Sequence, residues 1–422
     1  MKHDLYAGVL LAAVTLDGNN KILPLCFALV PAETTENYHW FFACMMQSPS
    51  LGHWLLTRGM VVISDRHKGL INSIRNSLPD ALHMYCLLHM KRNIVARCFA
   101  NSGAVVRLFW EAARAPTSAL FKQAMYSLRA ENTDAHDYLC AVSSAKGEHW
   151  AKYWLRENFG KSYGQDTSGC IESENSRLEA VRNGSPSEAV QMWTSNQSAH
   201  ISHMFAEAKK DPDSFFTPYA RKFVAEARRE SQYYTAVVFR TDTDRAAGNV
   251  WRGDSSAPAE RRLVDLIERT CSCGEWYDKG LPCRHAFALA TEAEKHGYTL
   301  SLRAAEWLER GSDRAYRMPI WRQYFSSDDA AFISMCDNDN IEPVANRYPP
   351  LNKSFGKREK TTGRKRKNRI ASTGEVGPAA AKRQMKKKSS GQPAEAQELT
   401  YEELAQVQQA MEERFYTDGF FS

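Results

Sequence analysis

The sequence predicts an α/β core with a helical insertion, followed by a small metal-binding module and a disordered basic tail. The first observation is an apolar hairpin pattern, followed by short strands that alternate with helices, as in α/β sheets. The second is a compact cluster of cysteines and a histidine, and the third is a late run of lysine and arginine. With 422 residues, 43% of them hydrophobic, the chain can form two or three domains with buried cores.

The N-terminal region predicts a β-hairpin and a helix. Apolar residues dominate from Tyr6 to Thr15 and from Ile22 to Val30, and Asp17-Gly18-Asn19-Asn20 between them supplies turn residues. A mostly buried helix is predicted over 37–46, where aromatic residues crowd together.

Two short strands follow, each leading into a helix. The run Val61-Val62-Ile63 ends in Ser64-Asp65, and an amphipathic helix continues to Leu78. The second strand, His83 to Cys86, leads into a helix from about Leu88 to Cys98. This pattern places the carboxylate of Asp65 at the C-terminal end of a buried strand.

Residues 103–165 lose the strand pattern and predict a helical insertion. Its expected core residues are aromatic: Phe109, Trp110, Phe121, Tyr126, Tyr138, Trp150 and Trp154. Helices are predicted again over 172–181 and 186–209, and strands over 233–240 and 261–269.

The net charge of +6 is concentrated near the C-terminus. Residues 1–352 carry 40 basic and 40 acidic side chains, residues 353–388 carry 14 and 2, and residues 389–422 carry 1 and 7. A segment this polar cannot bury enough apolar surface to fold alone, so we expect disorder over 353–398. Its two basic clusters predict nuclear import or binding to DNA phosphates, with a solvated linker as the alternative. The residues concerned are Arg364, Lys365, Arg366, Lys367, Lys386, Lys387 and Lys388.

A short acidic amphipathic helix is predicted over 399–417. Thr400-Tyr401-Glu402-Glu403 has the spacing of a capping box, and Leu404, Val407, Met411 and Phe415 follow at helical intervals. The helix could bind a partner or cover the basic stretch, and the sequence does not choose between them.

Neither a membrane span nor a secretory signal is expected. The longest apolar runs fall far short of the roughly 20 residues that a spanning helix needs. The N-terminus lacks a cationic region leading into a cleavable apolar stretch, so we expect the protein to remain inside the cell, in the nucleus.

A zinc site is predicted at Cys271-Ser272-Cys273 and Cys283-Arg284-His285. Three thiols and one imidazole, in two close pairs joined by a short loop, supply the four N or S ligands of a tetrahedral Zn²⁺ site. With no open coordination position, the metal would be structural. The alternative is a chance grouping of core residues, which the turn residues Gly274, Gly280 and Pro282 argue against. The pattern resembles the SWIM zinc finger, and such modules act as nucleic-acid- or protein-binding adaptors.

Several motifs together resemble the transposase domain of Mutator-like elements (MULE). They are the stretch from Tyr6 to Trp40, the motif Ile63-Ser64-Asp65-Arg66-His67-Lys68-Gly69-Leu70, and the motif Cys86-Leu87-Leu88-His89-Met90. The downstream finger and the basic segment 363–369 are similar to the rest of that architecture. The resemblance covers about residues 1–370 and implies a ribonuclease-H-like core that binds DNA.

The resemblance also implies catalysis by two metal ions, Mg²⁺ or Mn²⁺, held about 4 Å apart by carboxylates. Asp65 matches the family's second acidic residue and Glu172 the third, with Glu174 as an alternative two residues away. Cys86 and His89 match a Cys-x-x-His pair of these enzymes, whose role is structural or positions the DNA strand. Taken alone, the same pair would be a buried thiol and a helix-cap histidine.

One departure from the family concerns the first catalytic aspartate. It belongs on an opening strand that would precede Lys2, so we expect the core to be truncated at its N-terminus and inactive in strand cleavage by itself. Asp4 and Asp17 are the nearby alternatives, and both are more typical of turn or surface positions.

The predicted organisation is a series of segments along the chain. In order these are the first part of the core (1–100), the helical insertion (101–166), the catalytic-Glu helix and end of the core (167–210), a connecting region (211–260), the SWIM finger (261–295), a helical extension (296–352), the basic tail (353–398) and the acidic helix (399–417).

Two functions follow from these motifs. The first is a Mutator-like transposase, or a fragment or derivative of one, that binds zinc and DNA. The second is a transposon-derived DNA-binding regulator, similar to the far-red-impaired type, that acts through the finger without catalysis. Transposases pair two DNA ends, so a homo-oligomer is expected by analogy.

Overall fold

The structure is a computed structural model that describes residues 8–97, 99–143, 146–177, 186–211, 213–239, 247–253, 261–295 and 311–326. Among these residues it contains two two-stranded sheets and one four-stranded sheet. The basic clusters of the tail, the acidic C-terminal helix and Asp4 lie outside the described residues. No helix within these ranges is both long enough and apolar enough to cross a membrane.

The first region has the predicted order of a hairpin followed by alternating strands and helices. Its elements are β1 (Val9–Leu16), β2 (Ile22–Val30), α1 (Thr35–Gln47), α2 (Pro49–Leu55), β3 (Val61–Ser64), α3 (Lys68–Ser77), β4 (Leu82–Tyr85) and α4 (Leu87–Ala96). Strands β1 and β2 are antiparallel, and β3 and β4 are parallel. A shared core buries Leu11, Tyr38, Phe42 and Ile74 between the hairpin and the helices.

The hairpin turn is fixed by Asp17, which has the turn role that its sequence setting predicts. Its Oδ1 accepts hydrogen bonds from the backbone N–H groups of Asn19, at 2.9 Å, and Lys21, at 2.7 Å. The indole N–H of Trp321 donates to its Oδ2 at 2.9 Å. Both carboxylate oxygens therefore have structural partners.

The helical insertion folds around an aromatic core, as predicted. Its helices are α5 (Ser102–Arg114), α6 (Ser118–Glu131), α7 (Thr133–Val142) and α8 (Lys152–Glu157). Phe109, Phe121 and Trp150 are at most 1% exposed. The side chains of Met90 and Ile94 from α4 belong to the same core, so the insertion is packed onto the first region.

Three of the other aromatic residues, Trp110, Tyr138 and Trp154, are partly buried against this core. The prediction for Tyr126 is wrong, because this side chain is 77% exposed. On α6 the buried positions are Phe121, Ala124, Met125 and Leu128, which share one helical face. Tyr126 lies outside that face.

The second half of the described chain consists of long helices and an antiparallel sheet. Its elements are α9 (Gly169–Arg177), α10 (Pro186–Lys209), α11 (Pro218–Ser231), β5 (Tyr234–Phe239), β6 (Ala247–Arg252), β7 (Arg262–Asp265), β8 (Thr270–Cys271), α12 (Glu275–Lys279), α13 (Arg284–Lys295) and α14 (Met318–Ser326). The strand order is β5-β6-β7-β8, and α13 packs against the sheet.

Two features of this half differ from the sequence-based expectations. The sheet that contains β7 and β8 begins at Tyr234, because β5 and the unpredicted strand β6 pair with it. The expected strand over 261–269 is shorter because Asp265 starts a turn. Its Oδ1 accepts the N–H groups of Ile267 and Glu268, both at 2.9 Å.

Candidate functional site

The predicted zinc ligands come together in the structure. One ligand atom from each of Cys271, Cys273, Cys283 and His285 lies within 4.8 Å of the others. The Nδ1 atom of His285 is 3.8 Å from the sulfur atoms of Cys271 and Cys283. A tetrahedral site with Zn–S bonds near 2.3 Å has ligand separations of about 3.8 Å, so the geometry fits this metal.

Local structure explains how the ligands converge. Cys271 ends β8, where it pairs with Val264 of β7, and His285 lies in the first turn of α13. The loop between the two ligand pairs contains Gly274, at φ +77°, and Gly280, at φ +68°, which bound α12. Positive φ values favour glycine, so these residues allow the loop to be tight.

The protonation state of the thiols also favours a bound cation. Burial and the neighbouring thiols raise the pKa of Cys283 well above its usual value, whereas hydrogen bonds with Cys271 and Cys283 lower the pKa of Cys273 well below its own. The cluster therefore favours one thiolate over several in the absence of a cation. Zinc binding deprotonates its cysteine ligands and would supply the missing positive charge. The donor set and its burial therefore fit a structural zinc ion.

A second candidate site is a cavity of about 1090 Å³ between the hairpin, β3 and α9. Asp65 and Glu172 both line it, together with His89. Asp65 directly follows β3, and its Oδ1 accepts the N–H of His67 at 3.0 Å, which fixes the carboxylate at the strand end.

Glu172 faces this cavity from the first turn of α9. Its Oε1 lies 3.5 Å from the guanidinium of Arg92 and 3.8 Å from Nε2 of His89. The alternative carboxylate, Glu174, is only 2% exposed and does not line the cavity. The catalytic roles of Asp65 and Glu172 remain predictions.

The Cys86–His89 pair links α4 to α9. The thiol of Cys86 is fully buried, and the backbone N–H of Ser168 donates to its sulfur at 3.1 Å. The hydroxyl of Ser168 lies 3.4 Å from Nδ1 of His89. These contacts hold the residue that immediately precedes the Glu172 helix.

Interactions between Cys86 and His89 favour the thiolate form of the cysteine and the protonated form of the histidine. Burial alone would raise the pKa of Cys86, but hydrogen bonds from His89 and Ser168 lower it overall. The hydrogen bond with Cys86 raises the pKa of His89, and the carboxylates of Asp65 and Glu172 add to this increase. These interactions favour the protonated form of His89.

Two strands of the first region contribute to the cavity wall. Among the described strands, β1 pairs with β2, and β3 pairs with β4. Consecutive residues of both β1 and β3 line the cavity, and most are half-exposed. The cavity therefore lies against both two-stranded sheets.

Two contacts at or beside the cavity were not predicted from the sequence. Arg92 lies on α4 three residues beyond His89, so the two side chains share a helical face, and both approach Glu172. The ion pair between Arg114 and Asp166, at 2.9 Å, joins residues far apart in sequence and carried no local signal.

Comparisons with known proteins agree with the motifs. Residues 2–93 match the family model described as MULE transposase domain, and residues 251–294 match the one described as SWIM zinc finger. No curated protein and no solved structure is similar enough to be matched. The chain therefore carries a MULE transposase domain followed by a SWIM zinc finger with a complete set of metal ligands.

Proposed function

We propose that this protein is a Mutator-like transposase, or a derivative of one, that binds DNA across the cavity lined by Asp65 and Glu172. The observation that carries the proposal is that these two carboxylates, from separate parts of the chain, line one cavity together with His89. That cavity lies within a chain that has a MULE transposase domain.

The carboxylates fit a hard divalent cation, because Mg²⁺ and Mn²⁺ prefer oxygen ligands. In the proposed site, Asp65 and Glu172 would hold the metal, which would supply activation of the attacking oxygen and stabilisation of the leaving oxygen of a phosphodiester. The fixed position of Asp65 at the end of β3 supports this role, since its turn restricts the carboxylate.

Basic side chains in the same cavity would contact the DNA backbone. Arg58, Arg92 and Lys161 line it beside His89. Their charges favour phosphate groups, and the binding should weaken steeply as salt rises. We further propose that the basic clusters of the C-terminal tail direct the protein to the nucleus and that it acts as a homo-oligomer.

The proposed metal site can be tested by titrating Mn²⁺ into the zinc-loaded chain and measuring free Mn²⁺ by electron paramagnetic resonance. Asp65→Asn and Glu172→Gln should each weaken binding by about tenfold or more, because each removes a proposed ligand. Glu226→Gln is a control, since this carboxylate is 53% exposed and lies on α11. Equal Mn²⁺ binding by all four proteins would contradict the proposal.

The alternative is a DNA-binding regulator that does not catalyse strand cleavage. The complete ligand set of the zinc finger supports it, because that module does not depend on the cavity. Mn²⁺ titration separates the two functions, and fluorescence anisotropy with a labelled duplex measures whether each variant still binds DNA. A regulator would bind DNA equally well after Asp65→Asn or Glu172→Gln and would show no Mn²⁺ site affected by them. The proposed transposase site predicts weaker Mn²⁺ binding in both variants.

A further inference from the structure

The zinc finger contacts the loop that leads to Glu172 through the partly buried carboxylate of Asp278. The side chain of Asp278 accepts hydrogen bonds from the N–H of Ser162 at 2.9 Å, the hydroxyl of Ser162 at 2.8 Å and the N–H of Gly164 at 3.2 Å. It also forms an ion pair with Lys152 of α8 at 2.7 Å. These partners all belong to the helical insertion and the loop that follows it.

A second acidic residue reinforces this contact. Asp313 accepts hydrogen bonds from Lys161, at 3.3 Å, and from the hydroxyl of Tyr163, at 3.1 Å. Its own N–H donates to the carbonyl of Gly280 at 2.7 Å, at the end of α12. The loop segment 161–164 is thus held by Asp278 on α12 and by Asp313, which is bonded to the end of that helix.

The same loop continues directly into the wall of the cavity. The carbonyl of Asp166 accepts the N–H of Leu87 at 2.9 Å, and its carboxylate pairs with Arg114. Ser168 follows, bonded to Cys86, and α9 then presents Glu172 to the cavity. Glu172 follows Gly164, which the finger binds, by only eight positions.

The position of Asp278 depends on the metal-binding loop. Asp278 lies on α12, between the ligands Cys273 and Cys283 and five residues from each. This helix has five residues, too few to be stable without external constraints. A zinc ion that joins the two ends of the loop supplies such a constraint.

We propose that Asp278 is a positioning residue through which the zinc finger sets the placement of the 161–168 loop and of Glu172. In this arrangement the finger supports the wall of the transposase cavity, and zinc binding and cavity structure are linked. This link between zinc binding and the structure of the 161–168 loop does not depend on whether Glu172 takes part in catalysis.

Hydrogen–deuterium exchange of the full zinc-loaded chain tests this link. In Asp278→Asn, amides of residues 162–172 should exchange about tenfold faster or more, while zinc content and exchange within 271–285 stay unchanged. Glu275→Gln is the matched control, because this carboxylate lies on the same helix and pairs with Lys279 instead. We expect it to leave exchange in 162–172 within about twofold of the original chain.

Zinc removal from the unaltered chain by a chelator gives a second measurement that does not depend on how a variant folds. It should accelerate exchange both in 271–285 and in 162–172. Ser162→Ala, which removes one donor to Asp278, should accelerate exchange in 162–172 to a smaller extent. Unchanged exchange in 162–172 after zinc removal would overturn the proposal. Loss of zinc from the Asp278→Asn variant would also overturn it, because Asp278 would then act by stabilising the finger and not by positioning the loop.

Discussion

Three aspartates at the ends of strands or in short helices differ in their partners. Asp17 uses both oxygens in the hairpin turn, and Asp278 binds Lys152 and the loop at Ser162. Asp65 accepts the N–H of His67 and faces the large cavity. The three aspartates therefore differ in their surroundings because their hydrogen-bond partners differ. The turn position of Asp17 was predictable from the turn residues beside it in the sequence.

Substitution of one zinc ligand tests the metal centre at the residue scale. Cys283→Ser should lower zinc affinity by more than about 100-fold. Substitution of residues that only hydrogen-bond to metal ligands already lowers metal affinity about 10- to 100-fold, and Cys283 is itself a predicted ligand. Zinc content measured by mass spectrometry and thermal unfolding should both show the loss. Cys140→Ser is the control, since this cysteine lies on α7 in the helical insertion. Full zinc retention in Cys283→Ser would contradict the assigned ligand set.

The protonation of His89 gives a second residue-scale prediction. Its pKa should lie above the usual value near 6.5, because Cys86 and the nearby carboxylates favour the charged imidazole. The group should therefore remain protonated to higher pH than an ordinary histidine. Cys86→Ser should lower this pKa more than Glu172→Gln does, since the contact with Cys86 is the larger cause.

Nuclear magnetic resonance titration of the His89 ring between about pH 5 and 9 measures these changes. His53, which lies on α2 outside the Cys86 cluster, is a reference signal in the same spectra. A His89 pKa at or below that of an unperturbed histidine would contradict the charged pair.

At the scale of elements, strong local patterns predicted the structure well. The hairpin and the strands around Asp65 are short apolar runs bounded by turn residues, and the insertion helices have apolar residues at helical intervals. Strand β6 was missed because its sequence, Ala-Gly-Asn-Val-Trp-Arg, contains two poor strand formers. A side chain at Gly248 would collide with the backbone of Val237 and with Leu289, so tertiary packing requires the glycine that weakened the pattern.

The aromatic core of the insertion predicts unequal effects of two substitutions. Trp150→Ala should lower the free energy of unfolding by about 3–5 kcal/mol, because it leaves a cavity beside Phe109 and Phe121. Tyr126→Ala should change it by less than about 0.5 kcal/mol, since this ring is 77% exposed. Urea denaturation measures both. Equal changes in the free energy of unfolding for the two variants would mean that the core of the insertion is not centred on Trp150.

At the scale of the whole molecule, contacts between distant segments could not be predicted from the sequence. The Asp278–Ser162 contact joins residues 116 apart, and the Asp17–Trp321 contact joins residues 304 apart. No local sequence pattern predicts either contact. Each residue is of a type that is common in its local setting, and only the fold brings the two partners together. The zinc ligands were predictable because their spacing is short and the chemistry of the metal restricts them.

Thr217 offers a test of this long-range organisation. Its hydroxyl donates to the carbonyl of Gly18 in the hairpin turn at 2.8 Å and accepts the N–H of Ala220, at 3.3 Å, at the start of α11. The residue is fully buried. Thr217→Ala should therefore lower the free energy of unfolding by about 2–4 kcal/mol, because it leaves a buried carbonyl and a helix N–H without their partner and also removes a buried methyl group.

Thr217→Ser is the matched control for this prediction, because it keeps the hydroxyl and removes one methyl group, at a cost of about 1 kcal/mol. Hydrogen exchange at residues 17–21 should accelerate in Thr217→Ala and remain close to that of the original chain in Thr217→Ser. Equal stability and exchange in the two variants would mean that the methyl group, and not the hydrogen bond to Gly18, joins the hairpin to α11. Faster exchange in the alanine variant alone would establish that the turn beside the cavity is held by a helix 199 residues away.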